Sequence, residues 1–218
     1  DRNKQCRTRP TPCGHDSAWG VPVDSQVNII VVGFKTNTDQ DWNITKFDED
    51  GNQLWSIETN MGVDDAALDV AVDSRDNIIV VGDKGISGTN DDRNISKFDP
   101  DGNLMWDILA NLGGDDSVKG VAIDSKDNII VAGRGDNGAA SFDWNVTKLD
   151  PDGNQIWSYE ADLGAEDQAK DVIVDSQDNI IVVGYVTNTA ADWNITKIFG
   201  GGNPVSCGQM LQGDECQL

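Results

Sequence analysis

VDSRDNIIVVGD, residues 72–83, is the stretch whose reading decides the fold. NIIVVG within it is almost wholly apolar, the composition of a strand covered on both faces. SRDN in front supplies a turn, because Asp and Asn side chains bond their own backbone. DVAVDS (69–74) ahead of the turn is a short β-branched run and reads as a first strand. Downstream, RNISKF (93–98) alternates weakly and reads as a third strand. DPDGN (99–103) has the Asp-Gly of a tight hairpin, and LMWDIL (104–109) is the fourth strand. NLGGDD (111–116) then leads out of the unit.

The same pattern occurs as VDSQVNIIVVGF (23–34), IDSKDNIIVAGR (123–134) and VDSQDNIIVVGY (174–185). Its leading aspartates, Asp24, Asp73, Asp124 and Asp175, are spaced by 49, 51 and 51 residues. Four strands joined by tight turns within such a period describe one propeller blade. Trp42, Arg93, Trp144 and Trp193 open the third strands, and Trp55, Trp106 and Trp157 sit in fourth strands. In the last unit GGNPVSCGQM replaces DGNQLWSIE, so that Trp is lost. GHDSAWGVPVDS (14–25) aligns without a gap on VDDAALDVAVDS (63–74), so all four units are complete and in phase.

The predicted fold is therefore all-β: a closed four-bladed β-propeller with four antiparallel strands per blade. The blades are expected at about 14–61, 62–112, 113–163 and 164–210, between tails at 1–13 and 211–218. A half-ring that pairs into eight blades and an open solenoid are the other arrangements such repeats allow.

Composition narrows the function. The 38% of hydrophobic residues suffices for a core in these 218 residues. No apolar run approaches the roughly 18 residues of a membrane helix. A net charge of −22 repels phosphates and excludes nucleic acid as a partner. The charge is uneven: Arg2, Lys4, Arg7 and Arg9 against Asp1 make the first nine residues +3, leaving −25 on the rest. A cationic tail on an anionic body can dock on its own body or on a neighbour's, so these four residues are the candidate assembly contact. The chain opens on DRNKQCRTRP, without a signal-peptide pattern, so a secreted form is expected to be the mature one.

Four cysteines lie only at the ends: Cys6 and Cys13, Cys207 and Cys216. They lack the spacing of a zinc site, so disulfides are expected, and with them an oxidising, extracellular or cell-surface setting. Four thiols allow three pairings, within a molecule or between molecules.

The VDSxDNIIVVG core, the WNITKFD strand and the DPDGNxxW hairpin resemble the bacterial and archaeal β-propeller repeats called SBBP and, more distantly, NHL-type repeats, over about residues 14–203. The resemblance implies that the VDS strand is innermost in each blade and the Trp-bearing strand outermost. Residues 20–24, 69–73, 120–124 and 171–175 are then expected to line the central axis. It specifies architecture and leaves function open.

Four sets of side chains are candidate sites. Asp16, Asp65, Asp116 and Asp167 precede each innermost strand. In a closed ring their carboxylates surround one channel mouth, where calcium would neutralise them, or each carboxylate simply caps a turn. His15, the lone histidine, lies in the first of these loops as a surface residue. The D-x-D-G-N loops (48–52, 99–103, 150–154) begin like a calcium loop but lack its distal Glu, and read as hairpin turns. Asn43, Asn94, Asn145 and Asn194 each head an N-x-[ST] sequon. They are glycosylation acceptors, or they pair structurally across blades if buried. The seven tryptophans read as packing. DGNQLW is faintly similar to the Trp-docking motif of quinoprotein dehydrogenases, but nothing argues for a quinone site.

GxSxG, HExxH and P-loop motifs are missing, and every prominent Asp belongs to a repeated set, so no enzyme is expected. Two functions remain. The first is an extracellular structural subunit, of filament or surface-layer type, that self-assembles through its termini. The second is a calcium- or glycan-binding module acting at the channel mouth, with an extracellular protein or glycan as partner.

Overall fold

The computed structural model describes residues 15–59, 64–86, 90–110, 116–136, 142–161, 166–187, 191–199 and 203–207. The expected tails, with Cys6, Cys13 and Cys216 and the basic residues Arg2, Lys4, Arg7 and Arg9, lie outside these residues. The described part has sixteen strands in four antiparallel sheets of four strands. The first sheet holds β1 (Ser17–Gly20), β2 (Ile29–Thr36), β3 (Gln40–Phe47) and β4 (Gln53–Thr59). The second holds β5 (Ala66–Val72), β6 (Ile78–Ile86), β7 (Asn90–Phe98) and β8 (Leu104–Ala110). The third holds β9 (Ser117–Ile123), β10 (Ile129–Asp136), β11 (Phe142–Leu149) and β12 (Gln155–Ala161). The fourth holds β13 (Gln168–Val174), β14 (Ile180–Thr187), β15 (Ala191–Phe199) and β16 (Asn203–Cys207). Each sheet is a meander in chain order, as the hairpin signals demand.

The glycine of NIIVVG has a steric cause. A Cβ on Gly33, Gly82, Gly133 or Gly184 would lie 1.9–2.1 Å from a carbonyl oxygen of the first strand of its own sheet. The register between first and second strands slips beside this glycine in every sheet, so the bulge and the glycine belong together. In the DxDGN hairpins, Gly51, Gly102 and Gly153 take φ of 82–89°, the left-handed region open to glycine.

Three cores lie between consecutive sheets, all built to one plan. Ile30, Val32, Trp42 and Ile44 of the first sheet pack on Ala67, Val70, Ile78, Val80 and Phe98 of the second. Ile79, Val81 and Ile95 meet Val118, Val121, Ile129, Val131 and Leu149 of the third. Ile130, Ala132, Trp144 and Val146 meet Ala169, Val172, Ile180, Val182 and Ile198 of the fourth. The first strands β1, β5, β9 and β13 neighbour one another in sequence order, which places them innermost, and the Trp-bearing β4, β8 and β12 are the outer edges.

The closed ring expected of four units does not form among the described residues. β13 does not pack on β1 as β9 packs on β13 and β5 on β9. Among the described residues none covers the outward face of the fourth sheet: Trp193 is 82% exposed, whereas its counterparts Trp42 and Trp144 are 0% exposed. The first sheet's inward-facing Val21 and Val23 are likewise exposed. The side chains that clasp one sheet to the next lose their counterparts at these same two faces.

Candidate functional site: the sheet-to-sheet clasps and the open faces

Each unit uses its recurring polar residues to fix its own turns. Asp73 Oδ1 accepts the Arg75 and Asn77 amides, each at 2.9 Å, while Oδ2 accepts Asn77 Nδ2 at 2.9 Å. The third-strand lysine completes the set: Lys46–Asp24 and Lys97–Asp73 at 2.9 Å, Lys148–Asp124 at 2.7 Å and Lys197–Asp175 at 3.4 Å. Burial pushes the Asp24, Asp73 and Asp124 carboxyls up, but the Asn and Lys bonds outweigh it and leave all three below the ordinary value. Asp175 is drawn down to about 2, mainly by the side chain and amide of Asn179. The first three of these ion pairs are buried, so each lysine compensates a carboxylate that would otherwise be stranded.

Other recurring groups reach into the next sheet. Ser25 donates its amide and hydroxyl to Asp76 at 2.8 and 2.6 Å. Ser74 does the same to Asp127, and Ser125 to Asp178. Asp76, Asp127 and Asp178 adopt φ near 61–63°, where Asp is tolerated. Lys46 Nζ and Trp55 Nε1 donate to the Pro100 carbonyl at 3.1 and 3.3 Å, and Lys97 and Trp106 repeat this on Pro151. Trp42 Nε1 bonds the Asp83 carbonyl at 3.2 Å and Trp144 Nε1 the Tyr185 carbonyl at 2.9 Å. Asp69 Oδ2 accepts the Val121 amide at 2.9 Å, although burial raises its pKa. In the second unit Arg93 replaces the Trp and reaches Asn145 Oδ1 at 2.5 Å.

The series stops at the ends. The first unit has Val27 where the others have the acceptor Asp, still at φ 65° and exposed. Ser176, the next donor in the series, therefore has no carboxylate of this kind in the first sheet. The fourth unit has no Trp in its fourth strand: Val205 stands opposite Lys197 where Trp157 stands opposite Lys148. A pocket of about 460 Å³ opens on the bare fourth sheet, lined by Lys170, Val183, Tyr185, Trp193 and Ile195 among others. Lys170 Nζ lies 5.3 Å from the centre of the Tyr185 ring beside it.

The side chains singled out in the sequence have local partners. Asp16, Asp65, Asp116 and Asp167 each accept, through Oδ1, an amide at the far end of the second strand: Thr36, Gly85, Asp136 and Thr187, at 2.9–3.1 Å. Each bond ties the residue ahead of the first strand to the end of the second strand of the same sheet, 20 residues further on. No group of three or more His, Cys, Asp or Glu side chains able to hold a metal occurs among the described residues. In the DxDGN loops Asp48, Asp99 and Asp150 bond the amide and side chain of Asn52, Asn103 and Asn154. The sequon residues engage each other: Thr45, Thr147 and Thr196 donate to Asn43, Asn145 and Asn194 at 3.0–3.1 Å. Asn94, buried, donates to Asp107, and Asn145, also buried, to Ser158 and Glu160, all in the fourth strand of the same sheet. The pairing expected across neighbouring units thus runs largely within each sheet. The backbone of Cys207 lies in β16, opposite Ile195.

Sequence reasoning did not identify the Ser–Asp clasps, the Lys–Asp pairs or the bare Trp193 face. Two signals were readable: Val27 breaking VDSxDN, and a WNITK strand kept in a unit whose own fourth strand is degenerate.

No protein-family model matches the chain, and no curated protein matches it. Solved structures do match in fold. A protein of unknown function from Bacteroides caccae is similar with a TM-score of 0.56 and 16% identity, covering 82% of this chain and 56% of that one. The Pan2 WD40 domain from Neurospora crassa gives 0.57 and 11%, covering 85% and 47%. A gluconolactonase from Xanthomonas campestris gives 0.54 and 12%, covering 87% and 60%. The fold is that of the β-propellers, and the chain spans about half the length of these structures.

Proposed function

We propose that this protein is a non-enzymatic, extracellular structural subunit: four blades of SBBP-type propeller that assemble with copies of themselves through the two ends of the chain. One observation carries the reading. The fourth sheet presents the apolar pattern of a sheet-to-sheet core, Val183, Trp193 and Ile195, with nothing described upon it. A contiguous apolar face of this kind is the mark of an interaction surface. The recurring polar groups support a structural role, because they hold turns and join sheets. The test is electron microscopy of native, unreduced material. Regular particles or fibres containing more than one chain are expected. Particles of one chain would overturn the reading and favour a binding module acting at the channel mouth.

A further inference from the structure

We infer that the bare face of the fourth sheet is one half of a fourth sheet-to-sheet core, whose other half is the first sheet of a second copy of this chain. Two copies joined head to tail in this way, twice, close a ring of eight sheets. The inference rests on the self-assembly reading and specifies its interface.

The three internal cores supply the template. On the outgoing side they use two second-strand and two third-strand side chains, such as Ile130, Ala132, Trp144 and Val146. The fourth sheet has Ile181, Val183, Trp193 and Ile195 at those positions. On the incoming side the template is Ala169, Val172, Ile180, Val182 and Ile198. The first sheet has Ala18, Val21, Ile29, Val31 and Phe47 there. Both sets are apolar and incompletely covered: Val21 is 67% exposed, against 3% for Val172. Each half is thus present in the chain, without its mate.

A polar alternation points to the same neighbour. Four residues before the Asp of the VDS run stand Gly20, Asp69, Gly120 and Asp171 in the four units. The two transitions from Gly to Asp are tight: a Cβ on Gly20 would lie 2.9 Å from Val70, and one on Gly120 3.0 Å from Asp171 Cα. At the transition from Asp to Gly, Asp69 reaches across to the Val121 amide. Asp171 stands where Asp69 does, and among the described residues its Oδ1 accepts the amide of its own neighbour Val172. The sheet that continues the alternation is one with Gly followed by Val, which is Gly20-Val21 of the first unit. Likewise Trp193 is placed to bond the Phe34 carbonyl, as Trp144 bonds that of Tyr185.

The similar folds favour an open arc over a closed ring of four sheets. This arc superposes on propellers of which it spans 47–60%. A ring of two copies would hold eight sheets, which lies within the range that propellers adopt. Each copy gives its fourth face to the other's first face, so a two-fold axis along the channel uses up every bare face. The Ser–Asp clasp and the outer Trp are missing at this contact, which makes it an apolar core with a weaker rim than the internal three.

The test is sedimentation velocity on the full chain, comparing wild type, Trp193→Asp, Val21→Asp and an equal mixture of the two variants. Both positions are exposed, and circular dichroism checks that each variant is folded. Wild type is expected at twice the chain mass and each variant at the chain mass. The mixture should regain a two-chain species, since one intact fourth face can still meet one intact first face. Assembled wild type with both variants still assembled overturns the interface and leaves self-assembly standing, through another surface. Trp193→Asp dissociated but Val21→Asp intact means that fourth faces meet each other, and also overturns it. Species larger than two chains that both variants dissolve would overturn ring closure. Wild type at one chain mass overturns the self-assembly reading itself.

Discussion

The third and fourth sheets have nearly the same sequence and end in different environments. Trp144 and Trp193 are the third residues of corresponding strands, β11 and β15, in the same register against the second strand. Trp144 is sealed under the fourth sheet with its Nε1 bonded, while Trp193 stands in the open. Ala132 and Val183, Val146 and Ile195 repeat the contrast. A residue's role in this molecule is thus set by the sheet that packs on its unit, and only secondarily by its place within the unit. The physical reason is that one propeller sheet is too small to bury its own faces, so stability resides between sheets.

Substitutions can separate the two sheets. Trp144→Ala should cost about 3–5 kcal/mol, because a large side chain is removed from a closed core. Trp193→Ala should stay within about 0.5 kcal/mol in the single chain, as an exposed substitution does. Denaturant unfolding at dilutions where the chain is monomeric measures both. Equal effects would mean that the fourth face is covered within the chain.

The lysine pairs sharpen the contrast between the same two sheets. Lys148→Met leaves Asp124 buried without its cation and should destabilise by about 3 kcal/mol. Lys197→Met should have a smaller effect, because its pair with Asp175 is longer and less buried. The same unfolding curves give the difference.

Val27 tests the other end of the array. A β-branched residue at φ 65° is strained by roughly 1–2 kcal/mol. Val27→Asp restores the residue of the other three units and should stabilise by up to about 1 kcal/mol. A drop in melting temperature would show that Val27 packs against something.

Acid should produce the smallest and most diffuse effect. The folded carboxyls of Asp24, Asp73, Asp124 and Asp175 lie below the unfolded value of 3.8. Their contribution is complete above that pH and is lost as pH falls through the folded values, down to about 2 for Asp175. A melting temperature that is level above about pH 5 and declines below about pH 4 is expected; a decline starting near pH 6 would implicate other groups.

Most of the architecture could be read from the repeat. Four strands per unit, the hairpins at DxDGN, the innermost VDS strand and the completeness of the first unit all arise from local chemistry. They depend on apolar runs, turn residues and a glycine, which act within a few residues of one another. The candidate sites were less legible. A recurring Asp is compatible with a metal ring or with a turn cap, and the amides it meets in the fold, those of Thr36, Gly85, Asp136 and Thr187, lie 20 residues away, beyond the reach of a local pattern. The sequons were ambiguous for the same reason, since burial of Asn94 and Asn145 is set by the neighbouring strand and sheet.

Sequence by itself determined the unit: its strands, its turns and the identity of the residues that clasp. The tertiary structure decided how the units add up. The angle between sheets is a property of packing across an interface, where small differences in side-chain volume accumulate over the array. For that reason four like repeats could be expected to close on themselves, and only the folded chain showed a first and a last face left apart among the described residues.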